Sequence, residues 1–129
     1  SGQVVISIKD ADKTAEMAAA ARDLVEMGFG IIATGGTADF LGKNGIEAQR
    51  VNKVYEGRPN IVDRLKNDDI AMVLNTTEGA QTINDSREIR AVALYDKIPY
   101  FTTAAGSIAA VAAIKSRGEG EVGVRSLQA

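Results

Sequence analysis

FGIIATGGT, at residues 29–37, joins a short apolar run to a pair of glycines with a threonine on each side. A β-branched apolar run that ends at glycine predicts a buried strand, here Phe29–Thr34. We expect Gly35 and Gly36 to break this strand and Thr37 to open a short helix that closes near Asn44-Gly45. A strand followed at once by a helix is the repeating unit of an α/β fold.

The same alternation continues on both sides of that stretch. Val4–Ile8 is a β-branched run that predicts a strand, and apolar residues from Met17 to Met27 recur at helical spacing before Gly28, which suits a helix C-cap. Ile70–Leu74 is a continuous apolar run, typical of a parallel strand covered on both faces. The other predicted elements are a short strand around Val51, a helix after Pro59 with Ile61, Val62 and Leu65, a helix with Ile89, Val92 and Ala93, a strand at Ile98–Thr102, a helix with Ile108, Val111 and Ala112, and an edge strand at Val122–Val124.

This order of elements predicts the fold class. Strands alternating with helices through short Gly, Asp and Asn turns favour an open three-layer α/β sandwich around a mostly parallel sheet of about five strands. A length of 129 residues fits one domain, so we expect residues 1–129 to form a single domain. The chain begins at Ser1 without a methionine, which favours a fragment of a longer chain.

Composition narrows the possible chemistry. The chain has no cysteine, which excludes disulfides and thiolate chemistry and favours a reducing, cytoplasmic location. It has no histidine either, and so lacks the commonest general acid/base and the commonest metal ligand; we expect no metal site. A net charge of -2 predicts no general affinity for nucleic acid or membrane, because both require clustered positive charge.

Polar side chains follow three of the predicted strands at the point where each strand ends. In parallel α/β sheets, ligands bind beyond the carboxyl ends of the strands, where helix N-termini also point. This edge is expected to carry Lys13, Thr34–Thr37 and Asn75–Thr77. Each feature alone is more often a turn, a helix cap or a solvated lysine. Together they predict a phosphate site, because they combine backbone N–H groups at glycines with threonine hydroxyls and an ammonium.

A second pattern is more specific than these spacings. The runs DK at 12–13, TGGT at 34–37, VNKV at 51–54, EGRPNI at 56–61 and NTT at 75–77 follow one another in order, with DSR at 85–87 beyond them. They resemble the regulatory domain at the C-terminal end of the carbamoyl phosphate synthase large subunit, over essentially the whole chain. The resemblance implies a methylglyoxal-synthase-like fold and a non-catalytic domain. Its implied effector is a nucleoside monophosphate, with UMP as inhibitor and, in some bacterial members, IMP as activator.

The resemblance also assigns residues to this effector site. It implies that the phosphate meets Lys13, Thr34, Gly35, Gly36, Thr37 and Lys53, and that the same pocket contains Asn75, Thr76 and Thr77, with Ser7 and Ser86 at its margins. Tyr100 and Thr102 match positions that face the neighbouring synthetase domain, near the site for ornithine. A strand-end tyrosine with its hydroxyl in water is the ordinary alternative for Tyr100. Residues 78–81 stand where some members carry basic residues, which leaves the base preference open.

The implied parent enzyme is an ATP-using ligase of arginine and pyrimidine biosynthesis. The longer chain would contain synthetase domains, would associate with a glutaminase small subunit and would use Mg or Mn ions. The resemblance implies no cofactor in this domain. One alternative is a methylglyoxal-synthase-type lyase acting on a triose phosphate, but its aspartate base needs histidine assistance. The purine enzyme with IMP cyclohydrolase activity shares the early Asp-Lys and TGGT features and separates from Val51 onward. A plain interaction module is a third alternative.

Overall fold

Five strands and five helices alternate along the part of the chain that the computed structural model describes, which is residues 2–67, 69–77 and 80–128. The side chains of residues 55, 80–85 and 118–128 lie outside that description. The elements are β1 (Gly2–Ser7), α1 (Ala15–Glu26), β2 (Phe29–Thr34), α2 (Gly35–Lys43), β3 (Gln49–Val51), α3 (Ile61–Asn67), β4 (Ile70–Asn75), α4 (Ala80–Tyr95), β5 (Tyr100–Phe101) and α5 (Ala104–Gln128), with 3-10 turns at Asp10–Asp12 and Val54–Glu56.

The sheet has the strand order β3-β2-β1-β4-β5, and every pair among these strands is parallel. The predicted α/β class is therefore confirmed. The chain moves outward from β1 to β3 and then returns to form β4 on the other side of β1. This change of direction opens a crevice beyond the carboxyl ends of β1 and β4, where Ser7 is paired with Asn75.

Two hydrophobic cores cover the two faces of the sheet and make it the middle of three layers. Side chains of β1 alternate between them: Val4 and Ile6 face the first core, and Val5 faces the second. The first core also contains Leu24 of α1, Leu41 of α2 and Val111 of α5. The second core contains Ile61, Val62 and Leu65 of α3 and Ile89 of α4.

α1 begins at a threonine cap and ends at the predicted glycine. At its start, the Thr14 hydroxyl accepts a hydrogen bond from the Met17 N–H at 3.2 Å. Gly28 lies just beyond its end with φ of 97°, a left-handed conformation that favours glycine. The return into β2 then begins at Phe29, so β2 has the predicted bounds.

α2 begins two residues earlier than predicted. Gly35 and Gly36 do not form a loop before the helix; they are its first turn, and Thr34 is the N-cap residue. The cost of glycine, about 1 kcal/mol relative to alanine, applies to helix interiors. The first N–H groups of any helix have no partner within it. Leu41 is fully buried and anchors the helix on the first core. The glycine N–H groups therefore lie in the first turn of a helix at the sheet edge.

The end of the chain differs from prediction in three ways. β5 has only two residues, since it pairs with β4 only at Tyr100 and Phe101 and the preceding Pro99 has no N–H to donate. Residues 122–124 continue α5 and do not form an edge strand. Two valines around one glycine carry too little periodicity to separate helix from strand. Ala112, predicted on the apolar side, is exposed beside the buried Val111.

α3 starts at a reciprocal cap. The Asn60 side-chain oxygen accepts a hydrogen bond from the Val62 N–H at 2.9 Å, and Asp63 Oδ2 accepts one from the Asn60 N–H at 2.7 Å. Arg58 Nη2 binds Asp63 Oδ1 at 2.6 Å. The Arg58 hydrogen bond, followed by that of the Asn60 N–H, lowers the pKa of Asp63. The cap also holds the preceding segment, because the Ile61 N–H donates to the Asn52 carbonyl at 2.9 Å.

We expect Asn60→Ala to lower the free energy of unfolding by about 1 kcal/mol, because it removes the N-cap acceptor of α3. Urea unfolding followed by circular dichroism measures this change. Lys66→Ala, at an exposed position in the last turn of the same helix, is the control and should change stability by less than about 0.5 kcal/mol. Equal losses in both variants would contradict the capping role of Asn60.

Candidate anion-binding site

A cleft of about 190 Å³ opens at the carboxyl edge of the sheet, in the crevice between β1 and β4. Strand ends, the turn after β1, the start of α2 and the segment before α3 all contribute to its wall. Its lining includes Gly36 and the polar and charged residues Ser7, Lys9, Asp10, Lys13, Thr34, Thr37, Lys53, Asn75, Thr76 and Ser86. Nine of these were predicted as site residues, so the structure brings together most of that set; that they bind a ligand stays a prediction.

Four predicted residues do not line the cleft. Gly35 lies in the first turn of α2 next to the Arg50 guanidinium, and Thr77 follows the cleft residue Thr76 and is half-buried. Tyr100 contacts the cleft indirectly, through Asn75. Thr102 is exposed beyond the end of β5. Of residues 78–81, singled out for base preference, 78 and 79 lie outside the described residues, and so do the side chains of 80 and 81.

The first turn of α2 is available to an anion because its N-cap side chain does not cap it. The Thr34 hydroxyl instead lies 3.0 Å from the Ser7 hydroxyl. One hydrogen joins these two hydroxyls, which leaves the other to donate to a ligand. The Lys13 ammonium also lies close to this turn. Its Nζ is 3.0 Å from the position that a Cβ on Gly36 would occupy, so the ammonium lies beside the first turn of α2.

Lys13 is held in this position by an ion pair. Its Nζ lies 2.6 Å from Asp10 Oδ1, with the Lys13 side chain 20% exposed and the Asp10 side chain 91% exposed. The hydrogen bond from Lys13 and then the charge of Lys13 lower the pKa of Asp10, with a smaller contribution from the charge of Lys53. The Asp10 carboxylate is thus ionised at neutral pH and lies on the solvent side of the Lys13 ammonium.

Lys53 reaches the cleft from the segment after β3. β3 pairs with β2 so that Val51 is opposite Thr34, and this places Lys53 two residues beyond the end of the paired strands. The Lys53 N–H donates to Glu56 Oε1 at 2.6 Å, which fixes the backbone of this segment. The lysine is half-buried. No local pattern predicts this position, because it depends on which strand lies beside β2.

Two threonine hydroxyls hold the end of β1. The Ile8 N–H donates to Thr37 Oγ1 at 3.0 Å, and Thr37 Oγ1 donates to the Ile8 carbonyl at 3.4 Å. The Lys9 N–H donates to Thr76 Oγ1 at 3.0 Å. Thr37 therefore joins α2 to β1 in this structure, whereas Thr76 accepts one hydrogen bond and keeps its own hydrogen to donate. Contact between Thr37 and a phosphate stays a prediction.

Asn75 connects the cleft to β5. Its buried side-chain amide donates to the Ser86 hydroxyl at 3.0 Å and to the Tyr100 hydroxyl at 2.7 Å. Both amide hydrogens are used, so the Asn75 side chain presents an acceptor oxygen to any further partner. The Arg90 guanidinium lies over the Tyr100 ring at 5.8 Å. Tyr100 is therefore part of a polar network that begins in the cleft.

Sequence reasoning missed two charged residues of the cleft wall. Lys9 and Asp10 belong to the polar run that ends β1, and the sequence interpretation used that run only as a strand terminator. The rule that selected Lys13, that residues after a strand of a parallel sheet line the ligand edge, applies equally to them. It would have found both.

Sequence comparison identifies the family of this fold and cleft. A family model described as the MGS-like domain matches residues 16–102. The chain belongs to the MGS-like domain family. The MGS-like domain is similar to part of the carbamoyl phosphate synthase large chain of Rhizobium meliloti (strain 1021), at 46% identity over 127 residues, and of Myxococcus xanthus (strain DK1622), at 48% identity over 128 residues. The resemblance found in the sequence is confirmed.

The MGS-like domain is short compared with these relatives. The alignments cover 98% and 99% of this chain but only 11% and 12% of the two large chains. Similarity to the Pseudomonas putida large chain is of the same kind, with 47% identity over 114 residues and 10% of that protein. Among the described helices of the MGS-like domain, none has both the length and the hydropathy of a membrane-spanning segment.

Proposed function

We propose that this MGS-like domain is the regulatory domain of a carbamoyl phosphate synthase large chain and binds the phosphate of a nucleoside monophosphate effector. The observation that carries the proposal is the position of Lys13, whose ammonium lies above the first turn of α2. The N-terminus of a helix carries a partial positive charge, so an ammonium next to it is stabilised by a nearby anion. The exposed Asp10 carboxylate is one such anion, and a phosphate would be a second. A phosphate between the ammonium and the helix N-terminus would contact both.

The other groups of the cleft support the same ligand. Lys53 supplies a second ammonium, and the hydroxyls of Ser7, Thr34 and Thr76 supply further donors. Hydrogen bonds to charged groups contribute about 1.5–3 kcal/mol each, so two lysines and a few neutral donors account for micromolar binding. The acceptor oxygen of Asn75 suits a sugar hydroxyl or a base N–H better than a phosphate oxygen. UMP and IMP both present such donors.

Regulation follows if the effector has unequal affinity for two arrangements of the longer chain. Coupling of this type is typically about 1–3 kcal/mol, and substrates bound elsewhere would change effector affinity by the same factor. The partners would be the synthetase domains of the large chain and, through them, the glutaminase small subunit, in the cytoplasm. ATP and Mg or Mn would act in those domains and not in this one. The side of the fold near Tyr100 and Thr102 would face them.

Calorimetric titration of the chain with UMP, IMP, inorganic phosphate and uridine tests this function. We expect saturable micromolar binding of UMP or IMP, weaker binding of phosphate and the weakest binding of uridine. If neither nucleotide nor phosphate binds, the result would contradict the proposal and favour an interaction module. Release of phosphate from a triose phosphate at an enzymatic rate would instead support the lyase alternative.

Gly36→Ala should weaken UMP binding about threefold, a change of about 0.7 kcal/mol. The added methyl group would lie 3.0 Å from Lys13 Nζ, so the ammonium must shift by a few tenths of an ångström from its place beside α2. Calorimetry measures the affinity, and Gly42→Ala is the matched control in the same helix, where an added methyl group meets nothing within 4 Å. Equal affinities of the two variants would show that Lys13 is not needed at this position.

A further inference from the structure

We propose that Asp10 determines the charge specificity of the cleft, by disfavouring ligands that carry more negative charge than a monophosphate. The inference rests on the proposed function and adds to it a residue outside the predicted phosphate contacts. Its basis is the position of a carboxylate among the lysines that attract the anion. Asp10 would be a specificity-determining residue that acts by repulsion.

The backbone keeps Asp10 next to the ammonium that the phosphate would use. Asp10 and Lys13 lie at the two ends of one 3-10 turn, and the Lys13 N–H donates to the Asp10 carbonyl at 3.1 Å. Their side chains form the 2.6 Å ion pair. Because the two residues are joined by this short turn, an entering anion can share the Lys13 ammonium with the carboxylate but cannot move the carboxylate far away.

The Asp10 carboxylate lies on the outer side of this pair. The Lys13 side chain is only 20% exposed, whereas that of Asp10 is 91% exposed, so the carboxylate is the solvent-facing member of the pair. The charge of Lys53 also contributes to lowering the pKa of Asp10, after the larger effects of Lys13. The carboxylate therefore interacts electrostatically with both lysines that are expected to bind phosphate. An anion bound between the two lysines would be repelled by the Asp10 carboxylate.

Repulsion of this kind grows with the charge of the ligand. Among the described residues of the cleft wall, Lys9, Lys13 and Lys53 are positive and Asp10 is negative. A single carboxylate repels a dianion twice as strongly as a monoanion at the same distance, and a triphosphate more strongly still. The lysines remain sufficient for one phosphate dianion. Asp10 would therefore reduce affinity least for UMP and most for UTP.

Titration of UMP, UDP and UTP into the wild-type chain, Asp10→Asn and Asp12→Asn tests this inference. The titrations are made without Mg²⁺, at low ionic strength and at pH 8, where the phosphates are fully ionised. Asp10→Asn should bind UMP about threefold more tightly and UTP about tenfold or more, with UDP between them. High salt should reduce these gains, because exposed charges are screened. Asp12, in the same turn but outside the cleft wall, is the control for charge, and Asp12→Asn should change all three affinities distinctly less than Asp10→Asn.

Two results would overturn the inference while leaving the proposed function intact. In one, the wild-type chain binds UMP and Asp10→Asn binds it equally or more weakly, so that the carboxylate only positions Lys13. In the other, the gain is the same for all three nucleotides or is equally large in Asp12→Asn. Failure of both wild type and Asp10→Asn to bind any nucleotide, with melting temperatures that show folded protein, would end both proposals. Binding by Asp10→Asn alone would support the repulsive role.

Discussion

Lys13→Ala should weaken UMP binding about 100-fold, since one charge-assisted hydrogen bond at a partly buried site contributes about 1.5–3 kcal/mol. Two effects act together. The variant removes the ammonium above the first turn of α2, and it leaves the Asp10 carboxylate at the cleft without its ion-pair partner. Calorimetry with UMP, at the salt concentration used for the wild-type chain, measures the loss.

Lys43→Ala is the matched control for this variant. Lys43 is an exposed lysine in the last turn of α2, so the substitution removes the same charge from the same helix at the end away from the cleft. Its UMP affinity should remain within about twofold of wild type, as expected for a solvated surface charge. In the double variant Lys13→Ala with Asp10→Asn, part of the lost affinity should return, because the unpaired carboxylate is removed. Wild-type affinity in Lys13→Ala would show that the phosphate does not bind at α2.

Lys53→Ala should weaken UMP binding by about one to two powers of ten, again through loss of a bond to a charged group. This lysine comes from the segment after β3, so the variant tests a different wall of the cleft from Lys13. The measurement is the dissociation constant for UMP and for inorganic phosphate. If Lys53 contacts the phosphate itself, both ligands should lose affinity by a similar factor.

The control for Lys53 is Lys66→Ala, which removes an exposed charge from α3. Its affinities should match wild type. An unchanged UMP affinity in Lys53→Ala at low salt would place the phosphate elsewhere in the cleft. A loss for UMP without a loss for inorganic phosphate would move the contact of Lys53 from the phosphate to the nucleoside.

The cleft argues against the lyase alternative on physical grounds. A general base works best when its pKa lies near the working pH. Among the described residues, Asp10 is the one carboxylate on the cleft wall. The hydrogen bond from Lys13 lowers its pKa, which makes it a weaker base than an ordinary aspartate. The chain also has no histidine to assist it. An anion-binding role uses these same groups without requiring proton transfer.

The helices and strands could be predicted best where a local pattern agrees with burial. β2 at Phe29–Thr34 has the predicted bounds, and β4 at Ile70–Asn75 is one residue longer than predicted. Both are central strands of a parallel sheet covered on both faces, so nearly every residue in them is apolar. β5 and the start of α2 were placed less well. Edge pairing and helix capping depend on neighbouring elements, which a local pattern does not contain.

The candidate site was partly predictable for a similar reason. Thr34 and Asn75 end strands of a parallel sheet, and such ends meet at one edge whatever the details of the fold. Lys53 was assigned only through family resemblance, because it follows a three-residue strand with a weak pattern. Tyr100 was expected to face another domain, and its hydrogen bond to Asn75 could not be predicted from spacing.

By itself, the sequence determined the alternation of strands and helices, the apolar faces and the polar residues that end each strand, because these depend on residues close together in the chain. The tertiary structure decided which of those strand ends are neighbours. The order β3-β2-β1-β4-β5 brings Val51 beside Thr34 and Ser7 beside Asn75, and so gathers Lys13 and Lys53 around one cleft. It also decided that the Thr37 hydroxyl bonds Ile8, since hydrogen bonds between distant residues depend on distances that only packing sets.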